Sequence, residues 1–265
     1  MGTPIYQVDA FASERFRGNP AAVVLFADWP DEALLQSIAM ENNLAETAYV
    51  VANGDRWELR WFTPQVEVAL CGHATLAAAH VLFEHLQVES DEVVFCSASG
   101  ALRVSRSDSG LTLDFPSVPV SPVEVDYAVC QALGLTASEA LLPDTDPSQM
   151  LYVYEFESDI VGLAPDFRAL ADATQYAIIA TAPGEQCDFV SRFFAPRVGV
   201  DEDSVTGSAH CAAVPYWAAR QSKTSLLARQ LSARGGELDC ELRDGRVFMT
   251  GQAVTYFQGT LEWLS

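Results

Sequence analysis

The chain has 265 residues, 49% of them apolar, enough for one compact two-lobed molecule that buries roughly three quarters of its unfolded surface. Its formal charge is −21 and Lys223 is the only lysine. Such a field repels phosphate backbones, which argues against nucleic acid and anionic membranes as partners. There is no basic-then-apolar leader and no apolar run of about 18 residues, so a soluble, cytoplasmic protein is expected. Six scattered cysteines without a CxxC pair read as reduced, mostly buried thiols.

In chain order, Ile5–Val8 and Ala21–Phe26 read as strands around the turn Gly18-Asn19-Pro20. Asp31–Asn43 has helical spacing, with Leu34, Leu35, Ile38 and Ala39 on one side. Ala45–Val51 and Arg56–Phe62 form a hairpin through Asn53-Gly54-Asp55. Ala74–Leu86 is a mainly apolar helix suited to burial inside a lobe. Val93–Arg106 and Leu111–Phe115 make a second hairpin around Ser107–Gly110. Pro116–Pro122 is the linker candidate, and Glu124–Leu133 a helix. Leu151–Glu157, Ala177–Ala182 and Asp188–Phe194 read as strands. Ser208–Arg220 is a helix that Pro215 should kink by removing one backbone hydrogen bond. Leu226–Leu264 is strand-rich, with Arg243-Asp244-Gly245-Arg246 as a hairpin turn.

The second half repeats the first. Arg60-Trp61-Phe62-Thr63-Pro64-Gln65-Val66-Glu67-Val68 is echoed 132 residues later by Arg192-Phe193-Phe194-Ala195-Pro196-Arg197-Val198-Gly199-Val200. Gly72-x-Ala74-x-x-Ala77-Ala78 is echoed 135 residues later by Gly207-x-Ala209-x-x-Ala212-Ala213, after a three-residue insertion around Asp201–Asp203. The fold class is therefore α+β: two pseudo-symmetric lobes, each a curved mixed sheet around a central helix. The boundaries are 1–118 and 119–265, with the last segment a candidate to cross back. A cleft between such lobes suits a small molecule. No GxGxxG follows a strand and no GxxxxGK[ST] occurs, so the usual nucleotide signatures are missing.

A small-residue turn opens each central helix: Cys71-Gly72-His73-Ala74-Thr75 and Thr206-Gly207-Ser208-Ala209-His210. The first N–H groups of a helix have no internal partners and carry the positive end of its dipole, so they bind carboxylate or phosphate without a lysine. The plain alternative is that these glycines only permit tight turns and close packing.

Glu46 opens a strand, where alternation puts it on one face with Leu44, Ala48 and Val50. An apolar face should raise its pKa toward the range useful for proton transfer, and the alternative is a strand-edge carboxylate in solvent. Asp203 follows Glu202 just before the second glycine turn, either as part of a site or as an ordinary acidic turn. His73, inside the first turn, is placed to bond a ligand or carry a proton. His80 and His85 read as packing or surface residues. Cys71-x-His73 and His210-Cys211 are set too close for ordinary zinc ligation, so no metal is expected.

Gln7-Val8-Asp9-Ala10-Phe11, Phe16-x-Gly18-Asn19-Pro20-Ala21, Asn43-Leu44-Ala45-Glu46-Thr47-Ala48, Arg60-x-Phe62-Thr63-Pro64, Cys71-Gly72-His73-Ala74-Thr75, Phe194-Ala195-Pro196-Arg197 and the run Glu202 to Cys211 together resemble the PhzF-like phenazine-biosynthesis family, which shares the diaminopimelate-epimerase fold. The resemblance implies a homodimer, a cofactor-free site between two lobes, and a small carboxylate substrate. In the family's best understood member the enzyme isomerises a dihydro-hydroxyanthranilate: a proton leaves one carbon and returns elsewhere on the allylic system. It implies Glu46 as the essential acid/base, Asp203 and His73 as its assistants, and Asn19, Gly72, Gly207 and Ser208 as substrate contacts. Two departures stand out. Ser204 replaces the family's usual Pro after the Asp. Thr206 stands where the epimerases of this fold carry a second cysteine opposite Cys71, which disfavours two-cysteine racemisation. The alternatives are a one-base epimerase or racemase using Cys71, and a non-catalytic protein that binds small acids.

Overall fold

In a computed structural model describing residues 2–145 and 148–262, the chain forms two compact units. One runs to Asp114 and takes in the chain from Thr250 onward; the other is Phe115–Met249.

The first unit contains β1 (Thr3–Ala10), β2 (Asn19–Phe26), α1 (Glu32–Asn42), β3 (Glu46–Asn53), β4 (Arg56–Phe62), β5 (Glu67–Val68), α2 (Gly72–Glu84), β6 (Glu92–Ser97), β7 (Gly100–Ser107) and β8 (Gly110–Pro116), which runs to the unit boundary. Asn43, in the left-handed region at φ 48°, ends α1 and bonds back to the Ala39 carbonyl. β3 and β4 form the expected hairpin, with Asn53 facing Arg56 across Gly54 and Asp55. From His73 to Phe83 every residue of α2 but His80 is buried, as its all-round apolar sequence demands. A second core joins Ile5, Val24, Leu35, Ile38, Tyr49 and Phe62 beneath α1.

The expected single strand Val93–Arg106 is two strands, because the chain reverses at Ala98-Ser99. Ser97 Oγ accepts from the Ser99 N–H and donates to the Gly100 carbonyl, while Gly100 takes φ 97°. The Ser-x-Ser-Gly pattern recurs at Ser107–Gly110, where Ser107 makes the same two bonds.

The second unit contains β9 (Val120–Val123), α3 (Tyr127–Leu133), β10 (Glu139–Pro143), β11 (Gln149–Val153), α4 (Glu157–Gly162), α5 (Phe167–Ala173), β12 (Ala177–Pro183), β13 (Phe189–Ala195), a 3₁₀ turn (Pro196–Val198), β14 (Val200–Asp203), α6 (Gly207–Gln221), β15 (Ser225–Gln230), β16 (Gly236–Arg243) and β17 (Arg246–Gly251), whose end crosses the boundary. The linker expected over Pro116–Pro122 overlaps β9, which pairs antiparallel with β10. α3 starts at Tyr127 rather than Glu124, because Asp126 Oδ1 caps it by accepting from the Ala128 N–H. The strand expected to reach Glu157 stops at Val153, and α4 follows. α5 was not anticipated either; Asp166 caps it by accepting from the Ala169 N–H. Pro215 lies inside α6. At the β16–β17 turn Asp244 and Gly245 both have positive φ, as a two-residue hairpin loop requires. Val129, Leu133, Tyr152, Ile160, Leu170, Ile178 and Phe194 share a core within this unit.

The last strand, β18 (Ala253–Leu261), returns to the first unit and pairs antiparallel with β1. Of the strand-rich expectation to Leu264, residues 263 and 264 lie outside the described residues.

Both units use the same pairing scheme. β1–β2 and β10–β11 are antiparallel, β2–β3 and β11–β12 parallel, β3–β4 and β12–β13 antiparallel. β4 then pairs antiparallel with β5 and parallel with β6, as β13 does with β14 and β15. The sequence repeat is thus a structural repeat.

Candidate active site

In the first unit, α2 packs against β1, β2 and β3, and the residues singled out from sequence gather at its N-terminus. Asn19 opens β2 and Glu46 opens β3; these strands run parallel, with Ala21 paired to Glu46. Cys71 is the N-cap of α2 in extended conformation, and Gly72 and His73 are its first two residues. Neither Gly72 nor Gly207 has a positive φ, so backbone freedom in a tight turn does not explain them. Each is the first residue of its helix, where the peptide N–H groups have no partner within the helix.

His73 is 4% exposed and touches three side chains. Its Nδ1 lies 3.1 Å from Asn19 Nδ2 and 3.5 Å from Cys71 Sγ, and its Nε2 lies 3.1 Å from Glu46 Oε2. The His73–Glu46 contact is close enough for an ion pair but is not aligned for a hydrogen bond, so both atoms keep their bonding capacity in a buried setting. The Asn19 amide suits either state of the ring: its Nδ2–H donates to a bare Nδ1, and its Oδ1 would accept from Nδ1–H after a half-turn.

Glu46 is not a carboxylate in bulk solvent; its side chain is 19% exposed. Its pKa corrects the sequence expectation. Burial does push it up, but the charge of His73 pulls it the other way, and the net direction is downward from 4.5. His73 is held well above 6.5: burial opposes its charge, and Cys71 and Glu46 outweigh that. Both directions favour a carboxylate beside an imidazolium. Burial and the Glu46 charge push the Cys71 thiol up to about 11, which makes it a poor base at neutral pH and weighs against a one-base racemase.

The second unit carries the other residues. Glu202 is not in a solvated turn: it lies in β14 and pairs with Arg192, Nε to Oε1 at 2.8 Å and Nη2 to Oε2 at 2.9 Å. Asp203 ends that strand, and its Oδ2 accepts from Thr206 Oγ1–H. Gln230, which sequence reading passed over, holds this turn. Its Oε1 accepts from the Thr206 N–H at 2.8 Å, and its Nε2–H₂ donates to the Asp203 carbonyl at 2.9 Å and to Thr206 Oγ1 at 3.2 Å. The signal was available: strand alternation puts Gln230 on the buried face of β15 with Leu226 and Ala228. Gly207 and Ser208 follow as the first residues of α6.

The repeat extends to side chains. Thr75 Oγ1 donates to the Cys71 carbonyl at 2.6 Å, and at the matching position His210 Nδ1–H donates to the Thr206 carbonyl at 2.8 Å. Burial pushes His210 down to about 4, so it serves as a neutral brace.

Among the described residues, Glu46, Cys71 and His73 are the one grouping of three such side chains whose potential ligand atoms all lie within 4.8 Å of each other.

This repeated half, with its sheet and buried central helix, is the diaminopimelate epimerase-like fold. A predicted epimerase from Pseudomonas aeruginosa shares it at 19% identity, TM-score 0.72, over 98% of this chain and 99% of that one. Closer matches fix the family. The phenazine biosynthesis-like (PhzC-PhzF) model matches residues 8–259. The crystal structure of a PhzF-family phenazine biosynthesis protein from Enterococcus faecalis superimposes with TM-score 0.95 at 42% identity, over 99% of this chain and all of that one. An uncharacterized isomerase of Pseudomonas aeruginosa is 52% identical over 98% of this chain and 99% of its own length. The chain belongs to the phenazine biosynthesis-like family, and its chemistry is of isomerase kind.

Proposed function

We propose that the protein is a cofactor-independent isomerase that moves a proton on a small carboxylate substrate, with Glu46 as the general acid/base. The observation that carries this reading is the Glu46–His73 pair: a carboxylate and an imidazole 3.1 Å apart, mostly buried and not locked in a mutual hydrogen bond, with shifts that favour the ionised acid and the protonated ring. An ionised Glu46 accepts a proton from carbon. His73 then supplies positive charge where negative charge grows on the substrate, in a setting where such charge counts for more than in water. The Glu46 conjugate acid returns the proton at a second carbon, so the reaction balances without an outside acid or redox partner. Asn19 orients the ring through Nδ1. The N–H groups at the start of α2 would take the substrate carboxylate.

Asp203 as a catalytic assistant, and Gly207 and Ser208 as substrate contacts, belong to the same proposal, as do homodimeric assembly and a cytoplasmic setting. Asp203 is anchored by Thr206, and Ser204 in place of Pro does not free this turn, because the Ser204 carbonyl accepts from Ser232 Oγ–H at 2.7 Å.

The test is proton NMR in D₂O with a panel of small unsaturated carboxylates, trans-2,3-dihydro-3-hydroxyanthranilate among them. Wild type should incorporate deuterium or shift a double bond, and Glu46→Gln should bind but fall by about 10³-fold or more in rate. A Glu46→Gln variant with most of its activity would remove the role assigned to Glu46.

A further inference from the structure

The proton-transfer reading leaves one neighbour of His73 without a task. Cys71 Sγ lies 3.5 Å from the ring, and Glu46, Cys71 and His73 offer a carboxylate oxygen, a sulfur and a ring nitrogen within 4.8 Å of one another. We propose that these three side chains form a site for a thiophilic divalent cation of the zinc–cobalt class, and that its occupation inhibits the enzyme.

The geometry fits the ion. In a tetrahedral zinc site the metal–sulfur and metal–nitrogen lengths put neighbouring ligand atoms roughly 3.3–3.6 Å apart. Here Sγ and Nδ1 are 3.5 Å apart, within that range, while the Glu46 carboxylate lies at the other edge of the ring, Oε2 3.1 Å from Nε2. The donor set of one thiol, one imidazole and one carboxylate is what such borderline cations take, and three protein ligands leave a fourth position for water. Glu46 Oε2 is buried and committed to no aligned hydrogen bond, and a cation at Nδ1 takes the place of the Asn19 Nδ2–H that lies 3.1 Å from it. One cation can use only one ring nitrogen. Bound at Nδ1 beside Cys71, it requires the Glu46 carboxylate to swing from the Nε2 edge; the ring need not move. The acidic chain, at −21, adds a long-range pull on any divalent cation.

Inhibition follows from which groups are used. The cation takes the Glu46 lone pair that would accept the substrate proton, replaces the proton on His73, and displaces the Cys71 thiol proton to solvent. This last part rests on the isomerase reading; cation binding itself does not. The pair Cys71-x-His73 is too close in sequence to suggest a zinc site, because the third ligand comes from a different strand.

The experiment is a titration of the full-length protein with cobalt(II) alone, followed in the near ultraviolet, where thiolate-to-cobalt charge transfer absorbs. A charge-transfer band is expected in wild type. It should vanish in Cys71→Ser and persist in the Cys96→Ser/Cys187→Ser double variant, which removes the two less buried thiols. Cobalt affinity should fall at least tenfold in Glu46→Gln and in His73→Asn, each checked for native circular dichroism. Zinc should abolish the band by displacement and should stop deuterium exchange until a chelator is added. No band in wild type, or an equal band in Cys71→Ser, overturns the site. A band with the expected dependence, in a protein that exchanges no protons on any substrate, keeps the cation site and removes the isomerase reading instead.

Discussion

Arg60 and Arg192 stand 132 residues apart and make the same two contacts. Each guanidinium grips a carboxylate, Arg60 on Glu67 and Arg192 on Glu202, and each lies over a phenylalanine ring two residues on, Phe62 at 5.1 Å and Phe194 at 4.9 Å. The acidic partner is seven residues downstream in one unit and ten in the other, so the three-residue insertion of the second copy sits inside this loop and the ion pair survives it. The environments differ. Arg192 and Glu202 are 13% and 21% exposed, whereas Arg60 and Glu67 are 28% and 35% exposed, and Arg192 Nη1 also donates to the Ile160 and Leu163 carbonyls.

That difference sets an order of stabilities. Arg192→Ala strands a largely buried carboxylate and frees two carbonyls, and should cost roughly 3 kcal/mol. Arg60→Ala should cost about 1 kcal/mol. Urea unfolding of both variants checks this, and equal costs would mean that burial does not separate the two pairs.

The pH dependence has a definite sign. Glu46 is shifted down from 4.5, so its contribution is full above 4.5 and is lost as pH falls through the lowered value. His73 is shifted up from 6.5, so its contribution is full below 6.5 and is lost as pH rises through the raised value. Both the exchange rate and the pair's share of stability should therefore hold level across 4.5–6.5, with the acid limb below and the alkaline limb above. An acid limb centred near 6 that disappears in Glu46→Gln would show instead a carboxyl raised by burial.

Gln230 makes three hydrogen bonds to two residues of the second glycine turn. Gln230→Met keeps the volume but leaves the buried Thr206 N–H without its acceptor, a loss of about 1–3 kcal/mol. If Asp203 assists catalysis, turnover should fall as well, because the Asp203 carbonyl loses its donor. Denaturation midpoints and single-turnover rates on the same preparations separate the two effects.

Gly18, beside Asn19, is at φ 63°, and a Cβ there would lie 2.1 Å from the Ala10 carbonyl oxygen. Gly18→Ala must move the β1–β2 turn and should cost more than about 1 kcal/mol, readable as a lower melting temperature. Gly54, also at positive φ but with open space around it, is the matched control and should lose less when changed to Ala.

The repeat and both central helices were legible in the sequence, because the motifs that carry them are local and sit where strands and helices begin; Glu46 and His73 stood out as candidates and Asn19 came only through the family resemblance, while the contacts among the three are seen only in the structure. What was not legible depends on contacts across the chain. β9 reads as a proline-rich linker until β10 pairs with it. The Glu46 pKa could not be signed from its apolar face, since the opposing charge comes from α2. The break between β6 and β7 was in principle visible, for Ser97–Gly100 repeats the Ser-x-Ser-Gly of the turn that was recognised at Ser107–Gly110.

The pairing of β1 with β18 has a consequence for how the chain is made. Thr3 faces Leu261, so one edge of β1 stays open while nearly everything else is synthesised. The second unit is continuous in sequence and can close around α6 while the ribosome still holds the tail. The first unit, which carries Glu46 and His73, is begun first and finished last. A chain halted before Ala253 should therefore expose β1 as a free strand edge, a template for aggregation, and ribosome-bound intermediates of this protein should engage chaperones through its N-terminal strand.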